Sequence, residues 1–259
     1  MQSNFATKAA LFCSMAFLLF SCKKEENKPK PIVPNNAGVV LTFDDAYVTE
    51  WGEMDKEMQS YSWKATFCVS NINTLTLSEI NKLHTLQNKG HEIAGHSVDH
   101  RNATTFVAQY GIDKYLHQEI NPMLDLMDFY GLKVTAFAYP YGSRSAKTDT
   151  ALLKKFKILR GTVYSTKKPN QHDFYFNHSK VVYGFGMDTN YDYFSIPHVL
   201  KLLDYAKKNN KILILVGHKP VKKITARYQT KIKTVALICK YIRQNHMKFY
   251  TLSELYDLK

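Results

Sequence analysis

At 259 residues the chain has room for one barrel-sized α/β domain or two small ones, and an apolar share of 45% is ordinary for a globular core. A formal net charge of +13 points to an anionic surface or polymer, whether nucleic acid, lipid headgroups or acidic glycan, beside the plain reading of solubility. The lysines are scattered, as in Lys154-Lys155, Lys207-Lys208 and Lys222-Lys223. With no Arg-rich helix, zinc-finger spacing or RNP-like aromatic strand, no nucleic-acid partner is expected.

At the start of the chain Lys8 precedes an apolar run from Ala9 to Phe20, too short to span a bilayer and of the right length for the apolar core of an export signal. Leu19-Phe20-Ser21-Cys22 then resembles the lipobox of bacterial lipoproteins. That resemblance implies a signal peptide over 1–22 and a membrane anchor through lipid on Cys22. Lys23-Lys24-Glu25-Glu26 resembles the signal that sends certain Gram-negative lipoproteins to the outer face of the outer membrane, so an outer-membrane, cell-surface location is expected. Residues 23–36 are Lys, Glu, Asn and Pro with almost nothing apolar and read as a flexible tether, leaving 37–259 as the folded domain. Once Cys13 is cleaved away and Cys22 acylated, Cys68 and Cys239 remain. They sit in a strand-like and a helix-like run and read as buried small hydrophobes, not a disulfide.

Thereafter short strand-like runs alternate with longer amphipathic stretches. Val39 to Phe43 reads as a buried strand, Glu50 to Tyr61 as a helix and Ala65 to Ser70 as a strand. A helix then opens at Thr76 or Ser78, with Glu79 in its first turn, and ends before Gly90. His91 to Gly95 is the third strand, Asp113 to Tyr130 a long helix, and Val134 to Ala138 the fourth strand. Thr148 to Phe156 reads as helix and Ile158 to Val163 as strand. Lys167 to Asp188 is polar and aromatic-rich without a clear period. Ile196 to Asn209 reads as helix, Ile212 to Val216 as strand, Ile224 to Asn245 as a long helix and Phe249 to Leu252 as a last strand. About seven strands separated by helices favour a parallel barrel over an open sheet.

Four of these strand ends carry chemistry. Leu41-Thr42-Phe43-Asp44-Asp45-Ala46 places two adjacent carboxylates at a strand mouth, where they are costly unless a cation, a proton or hydrogen bonds compensate them. His96-Ser97-Val98-Asp99-His100 follows the third strand, and histidines at i and i+4 share one face if the backbone turns helically. Two imidazoles with one carboxylate suit Zn²⁺ or a related divalent ion, and three ligands with a vacant position describe a catalytic site. Phe137-Ala138-Tyr139-Pro140-Tyr141-Gly142 makes a tight loop whose N–H groups suit a developing oxyanion, or a plain βα turn. Leu213-Ile214-Leu215-Val216-Gly217-His218 delivers a histidine to the same rim.

Together these stretches resemble the polysaccharide deacetylase family, the NodB-homology or carbohydrate esterase family 4 enzymes, over about Gly38 to His218. The resemblance implies an α/β fold, a distorted (β/α) barrel with about seven parallel strands. It also implies removal of N- or O-linked acetyl groups from a polysaccharide by one divalent metal, with metal-bound water as nucleophile. Asp45, His96 and His100 would hold that metal, most simply Zn²⁺, with Co²⁺, Ni²⁺ or Fe²⁺ as alternatives. Asp44 would be the base, His218 the acid and the backbone N–H of Tyr141 the oxyanion donor. The expected partner is an acetylated polysaccharide, and the expected state a monomer. Two departures stand out. Many members carry an arginine where this chain has Ala138, which leaves Arg160 or Arg144 to supply the guanidinium beside Asp44. No counterpart is evident of the family's later Asp-Trp element, whose aspartate tunes the acid histidine. These departures motivate a second reading, a lipid-tethered glycan-binding protein that kept the barrel without turnover. Tyr61, Tyr139, Tyr141, Tyr183, Tyr191 and Tyr193 are the candidates for stacking on sugar rings.

Overall fold

The computed structural model describes residues 36–163 and 168–258. The predicted signal over 1–22, with Cys22, and all of the tether except Asn36 lie outside the described residues. Among the described residues no helix is long and apolar enough to cross a membrane.

Seven parallel strands close into a barrel: β1 (Gly38–Asp45), β2 (Thr66–Val69), β3 (Glu92–Gly95), β4 (Ala136–Ala138), β5 (Ile158–Val163), β6 (Val181–Gly186) and β7 (Ile212–Gly217). Each pairs with the next, and β7 returns to β1 with Val40 opposite Ile214. Two further short strands, β8 (Lys219–Val221) and β9 (Gln229–Lys231), pair only with each other and form an arm after β7. The last strand, β10 (Lys248–Tyr250), wedges beside β1: Gly38–Val40 pair with it, while Thr42–Asp45 pair with β2. Gly38 permits that approach, because a Cβ there would lie 2.5 Å from the Lys248 carbonyl oxygen and from the Tyr250 ring. This wedge distorts the barrel.

The period of two along each strand sorts the side chains. Val39, Leu41 and Phe43 on β1, Phe67 and Val69 on β2 and Leu213 and Leu215 on β7 face outward into the core shared with the surrounding helices. Val40, Cys68, Ala94, Ala136, Ala138, Ile158, Val182, Ile212 and Ile214 pack in a second cluster inside the barrel. Asp44 and Arg160 follow the inward phase of Val40 and Ile158, so both point into the barrel. Cys68 and Cys239 are buried and unbridged, as expected.

Most elements fall where the sequence places them. Thr76 caps the helix Leu77–Asn88 in a reciprocal box with Glu79. Two readings are corrected and one gap is filled. The long helix over Asp113 to Tyr130 is broken by a π-helical turn at Leu116–Ile120, and a separate helix, Ala103–Tyr110, precedes it. The unassigned stretch Lys167 to Asp188 contains β6. The helix expected over Ile224 to Asn245 begins only at Ile232, because the preceding residues belong to the arm and its turn.

Candidate active site

The C-terminal rim of the barrel collects every motif. Neighbouring residues on a strand point opposite ways, yet Asp44 and Asp45 line one cavity. Asp45 manages this with φ of +84°, which ends the strand conformation. The His96–His100 segment is a loop, not the helical turn the i, i+4 spacing suggested. Positive φ at Ser97 (63°) and His100 (54°) folds the two imidazoles together, with centroids 4.8 Å apart. Backbone in this sparsely populated region persists only where its surroundings enforce it.

Nε2 of His100 lies 3.2 Å and Nε2 of His96 3.8 Å from Oδ1 of Asp45, and one ligand atom from each of the three residues falls within 4.8 Å of the others. Nδ1 of His96 donates to the Ala138 carbonyl at 2.8 Å, which leaves Nε2 with its lone pair turned to Asp45. Burial holds His96 down to about 4, so the ring is neutral at pH 7. For Asp45 burial acts upward, but the His100 hydrogen bond and the nearby imidazoles outweigh it and bring the carboxyl to about 2. Two imidazoles and one carboxylate fit a divalent cation of the zinc type.

The π-helical turn supports this loop from behind. Glu119 is fully buried; its carbonyl accepts from Val98 N, and its carboxylate accepts from Asp99 N at 3.2 Å and forms an ion pair with Arg101, whose Nε lies 3.1 Å away. Glu119→Ala is expected to free the loop and weaken cation affinity about tenfold or more, as isothermal titration with Zn²⁺ would read. Unchanged affinity would show that the loop holds its shape unaided.

Arg160 is wholly buried, and its Nη2 donates to Oδ1 of Asp44. The residue hydrogen-bonded in register beside it on β4 is Ala138, so the missing guanidinium arrives from the neighbouring strand. Small neighbours make room for it: Ala138, Ala94 and Cys68 line the interior, and a Cβ on Gly184 would stand 3.6 Å from Arg160 Cδ. Burial acts upward on Asp44, but the guanidinium outweighs it and holds the carboxyl below its ordinary range. Arg144, the other candidate, turns away to Asp149 and to the Tyr183 hydroxyl, 2.6 Å distant.

His218 follows β7, and its Nδ1 lies 2.5 Å from Oδ2 of Asp188, just beyond β6. Asp188 is fully buried and also accepts from the His218 backbone N and the Thr230 hydroxyl. Burial lowers the His218 pKa, but the Asp188 carboxylate more than reverses this and lifts it to about 9. The imidazolium therefore persists through neutral pH and is lost as pH rises past that value. Asp188→Asn is expected to move the alkaline limb of kcat/KM down by about one to two pH units. An unmoved limb would separate Asp188 from the acid.

These groups open on a cavity of about 400 Å³ that Tyr141, Gly142, Thr162, Tyr191, Tyr193 and Tyr228 also line. Tyr141 stands at φ of +59° in the Pro140–Gly142 turn, its ring 4.7 Å from His100. A larger depression of about 540 Å³, lined by residues such as Lys64, Lys248 and Glu254, carries no comparable donor set.

The polysaccharide deacetylase family model matches residues 33–158, the stretch that holds Asp44, Asp45, His96, His100 and the Pro140–Gly142 turn. That stretch, just under half of the chain, is similar to the polysaccharide deacetylase family. A gellan lyase from Bacillus sp. is 31% identical over 124 residues, 48% of this chain and 5% of the lyase, so the chain spans a small fraction of that relative's length. Among solved structures, a family 4 acetyl xylan esterase from Clostridium thermocellum, in complex with a cobalt ion, superposes with a TM-score of 0.55. It is 18% identical, over 85% of this chain and 90% of the esterase. The catalytic domain of a peptidoglycan N-acetylglucosamine deacetylase from Eubacterium rectale gives a TM-score of 0.52 at 17% identity, over 85% and 90%. At such identities these two likenesses are of fold.

The two departures seen in the sequence are met in the structure by other residues. Arg160 stands in for the guanidinium absent at position 138, and Asp188 is the aspartate that sequence reading missed. The signal for Asp188 was its place two residues past a strand, had Val181–Gly186 been read as one. Of the tyrosines singled out, Tyr141, Tyr191 and Tyr193 reach the cavity. Tyr139 is buried and donates to Asp149, Tyr183 accepts from Arg144, and Tyr61 packs on the core. Tyr228, carried by the arm, was overlooked.

Proposed function

We propose that the protein is a metal-dependent hydrolase that removes N- or O-linked acetyl groups from an extracellular polysaccharide, acting at the cell surface on a lipid tether at Cys22. The observation that carries the reading is the convergence of Asp44, Asp45, His96, His100 and His218 on one cavity, with Arg160 and Asp188 behind the two proton-transferring groups. Asp45, His96 and His100 would hold the cation, Zn²⁺ by preference and Co²⁺, Ni²⁺ or Fe²⁺ according to supply. When bound, such an ion lowers the pKa of water toward ~7 and polarises the acetyl carbonyl.

Asp44 accepts the proton of the attacking water as its oxygen bonds to the acetyl carbon, and Arg160 keeps that carboxylate ionised and aimed. The Tyr141 N–H faces the charge that develops on the carbonyl oxygen. His218, as imidazolium, gives its proton to the departing amine or alcohol when the bond to the acetyl carbon breaks, and acetate leaves. Asp188 fixes the ring so that Nε2 presents that proton.

The glycan-binding alternative drew its force from Ala138 and from the absent tuning acid. Arg160 and Asp188 supply both groups, which favours turnover. The full-length chain, supplied with Zn²⁺, should release acetate from at least one of chitooligosaccharide, peptidoglycan, poly-N-acetylglucosamine, acetylxylan or an aryl acetate. Chelation should stop it and added Zn²⁺ restore it. Glycan binding without acetate from any of these would favour the alternative.

A further inference from the structure

From Tyr205 to Ser253 the chain carries twelve lysines and arginines and not one aspartate or glutamate. Part of that stretch is the arm that follows His218, and the arm reaches the cavity mouth. Tyr228 stands on it at φ of +54°, with its ring edge-on to His218 at 5.4 Å and to Tyr191 at 6.3 Å. Its backbone N donates to Asn190 at 2.6 Å, and the Gln229 side chain accepts from Thr225 N and Ala226 N. The turn that holds residues 225–228 is therefore tied to the barrel.

Arg227 sits beside it, exposed, with its guanidinium 5.7 Å from the centre of the Tyr228 ring. Two lysines of the arm are engaged, Lys219 with Glu50 at 2.9 Å and Lys222 with Glu57 at 3.3 Å, and it is Arg227 that stands against the cavity-lining Tyr228. No acidic side chain among the described residues pairs with Arg227. Inside the cavity, Asp44 and Asp188 are each matched by a cationic side chain, and Asp45 belongs to the candidate metal set, so an incoming anion meets little opposing charge. A planar guanidinium over an aromatic ring is well suited to a carboxylate held beside a stacked sugar.

We propose that this rim selects acidic glycans: Arg227 pairs with a carboxylate on the sugar next to the one whose acetyl group enters the cavity, and Tyr228 carries that sugar ring. The inference names the substrate class of the same site and so rests on the deacetylase reading.

The test compares one acetylated uronate-bearing polysaccharide with the same polymer after reduction of its carboxyl groups to alcohols, at equal length and acetylation. The full-length chain with Zn²⁺ is expected to release acetate from the acidic form about tenfold faster in kcat/KM at low salt. Salt should erode that advantage. Arg227→Gln should bring the two rates within about twofold, whereas Lys154→Gln, far along the chain, should preserve the ratio. Equal rates on both polymers, or a preference that survives Arg227→Gln, would overturn the proposal. If neither polymer is turned over, affinity electrophoresis decides: retardation by the acidic form alone, lost in Arg227→Gln, upholds the acidic-glycan site while the deacetylase reading falls. Equal mobility in both gels, or retention only on phosphatidylglycerol vesicles, would overturn it.

Discussion

Asp44→Asn is expected to lower acetate release by about 10²- to 10⁴-fold while leaving the cation affinity largely intact. The amide keeps the shape of the carboxylate but cannot take up the proton of the attacking water. Asp45, His96 and His100 remain to bind the ion. The substitution also removes the partner of a wholly buried guanidinium, so the variant should melt earlier than wild type, and its activity must be compared well below that transition. Turnover within tenfold of wild type in a folded, metal-loaded Asp44→Asn would remove this residue from proton transfer.

Arg160→Ala is the second large effect, and it acts on both stability and rate. The pair with Asp44 is buried on both sides, and breaking such a pair from one side costs about 3–5 kcal/mol because the remaining charge is left without compensation. Without the guanidinium, burial governs Asp44 and its pKa rises. A carboxyl that is raised is protonated over more of the pH range, so the acid limb of kcat/KM should move upward and turnover near pH 7 should fall. Arg160→Met combined with Asp44→Asn removes both charges together. It should recover part of the lost stability but none of the lost activity, which separates the structural cost from the chemical one. Arg144→Ala is the contrast. Its partners are Asp149 and Tyr183, so the acid limb should stay where it is. An Arg160→Ala variant with an unmoved acid limb would show that Asp44 is set by something else.

The parts of this site legible in the sequence were those written as contiguous words at strand ends. Asp44-Asp45, the two histidines of 96–100, the turn at 140–142 and His218 all follow apolar runs that periodicity locates well. Arg160 was reached by a different route: the family resemblance calls for a guanidinium where this chain has Ala138, which left Arg160 and Arg144 as candidates, and only the packing of Arg160 against Asp44 separates the two. Asp188 was hidden because β6 is interrupted by Gly184 and Gly186, which weaken any strand signal. Both glycines have a packing cause. A Cβ on Gly184 would run into Val216, and one on Gly186 would reach the Tyr191 and Tyr193 rings. The helix over Ile224 to Asn245 was extended too far because Ile224 continues the apolar spacing, whereas Thr225 N and Ala226 N are taken up by the Gln229 side chain. The π turn at Leu116–Ile120 leaves the apolar period almost intact, and only the contacts of Glu119 with the 96–100 loop reveal its use. Sequence spacing likewise suggested a helical turn for His96 and His100. Left-handed backbone at Ser97 and His100 brings the rings together instead, a conformation that no periodicity encodes.

The account stands on Asp45, His96 and His100 gripping one cation. Crystals grown with one equivalent of Zn²⁺, with anomalous data collected on both sides of the zinc edge, test that grip directly. A single anomalous peak about 2.0–2.2 Å from Asp45 Oδ1 and from Nε2 of His96 and His100 is the predicted result. A cavity without a peak at saturating Zn²⁺, or a peak held by other residues, would contradict it.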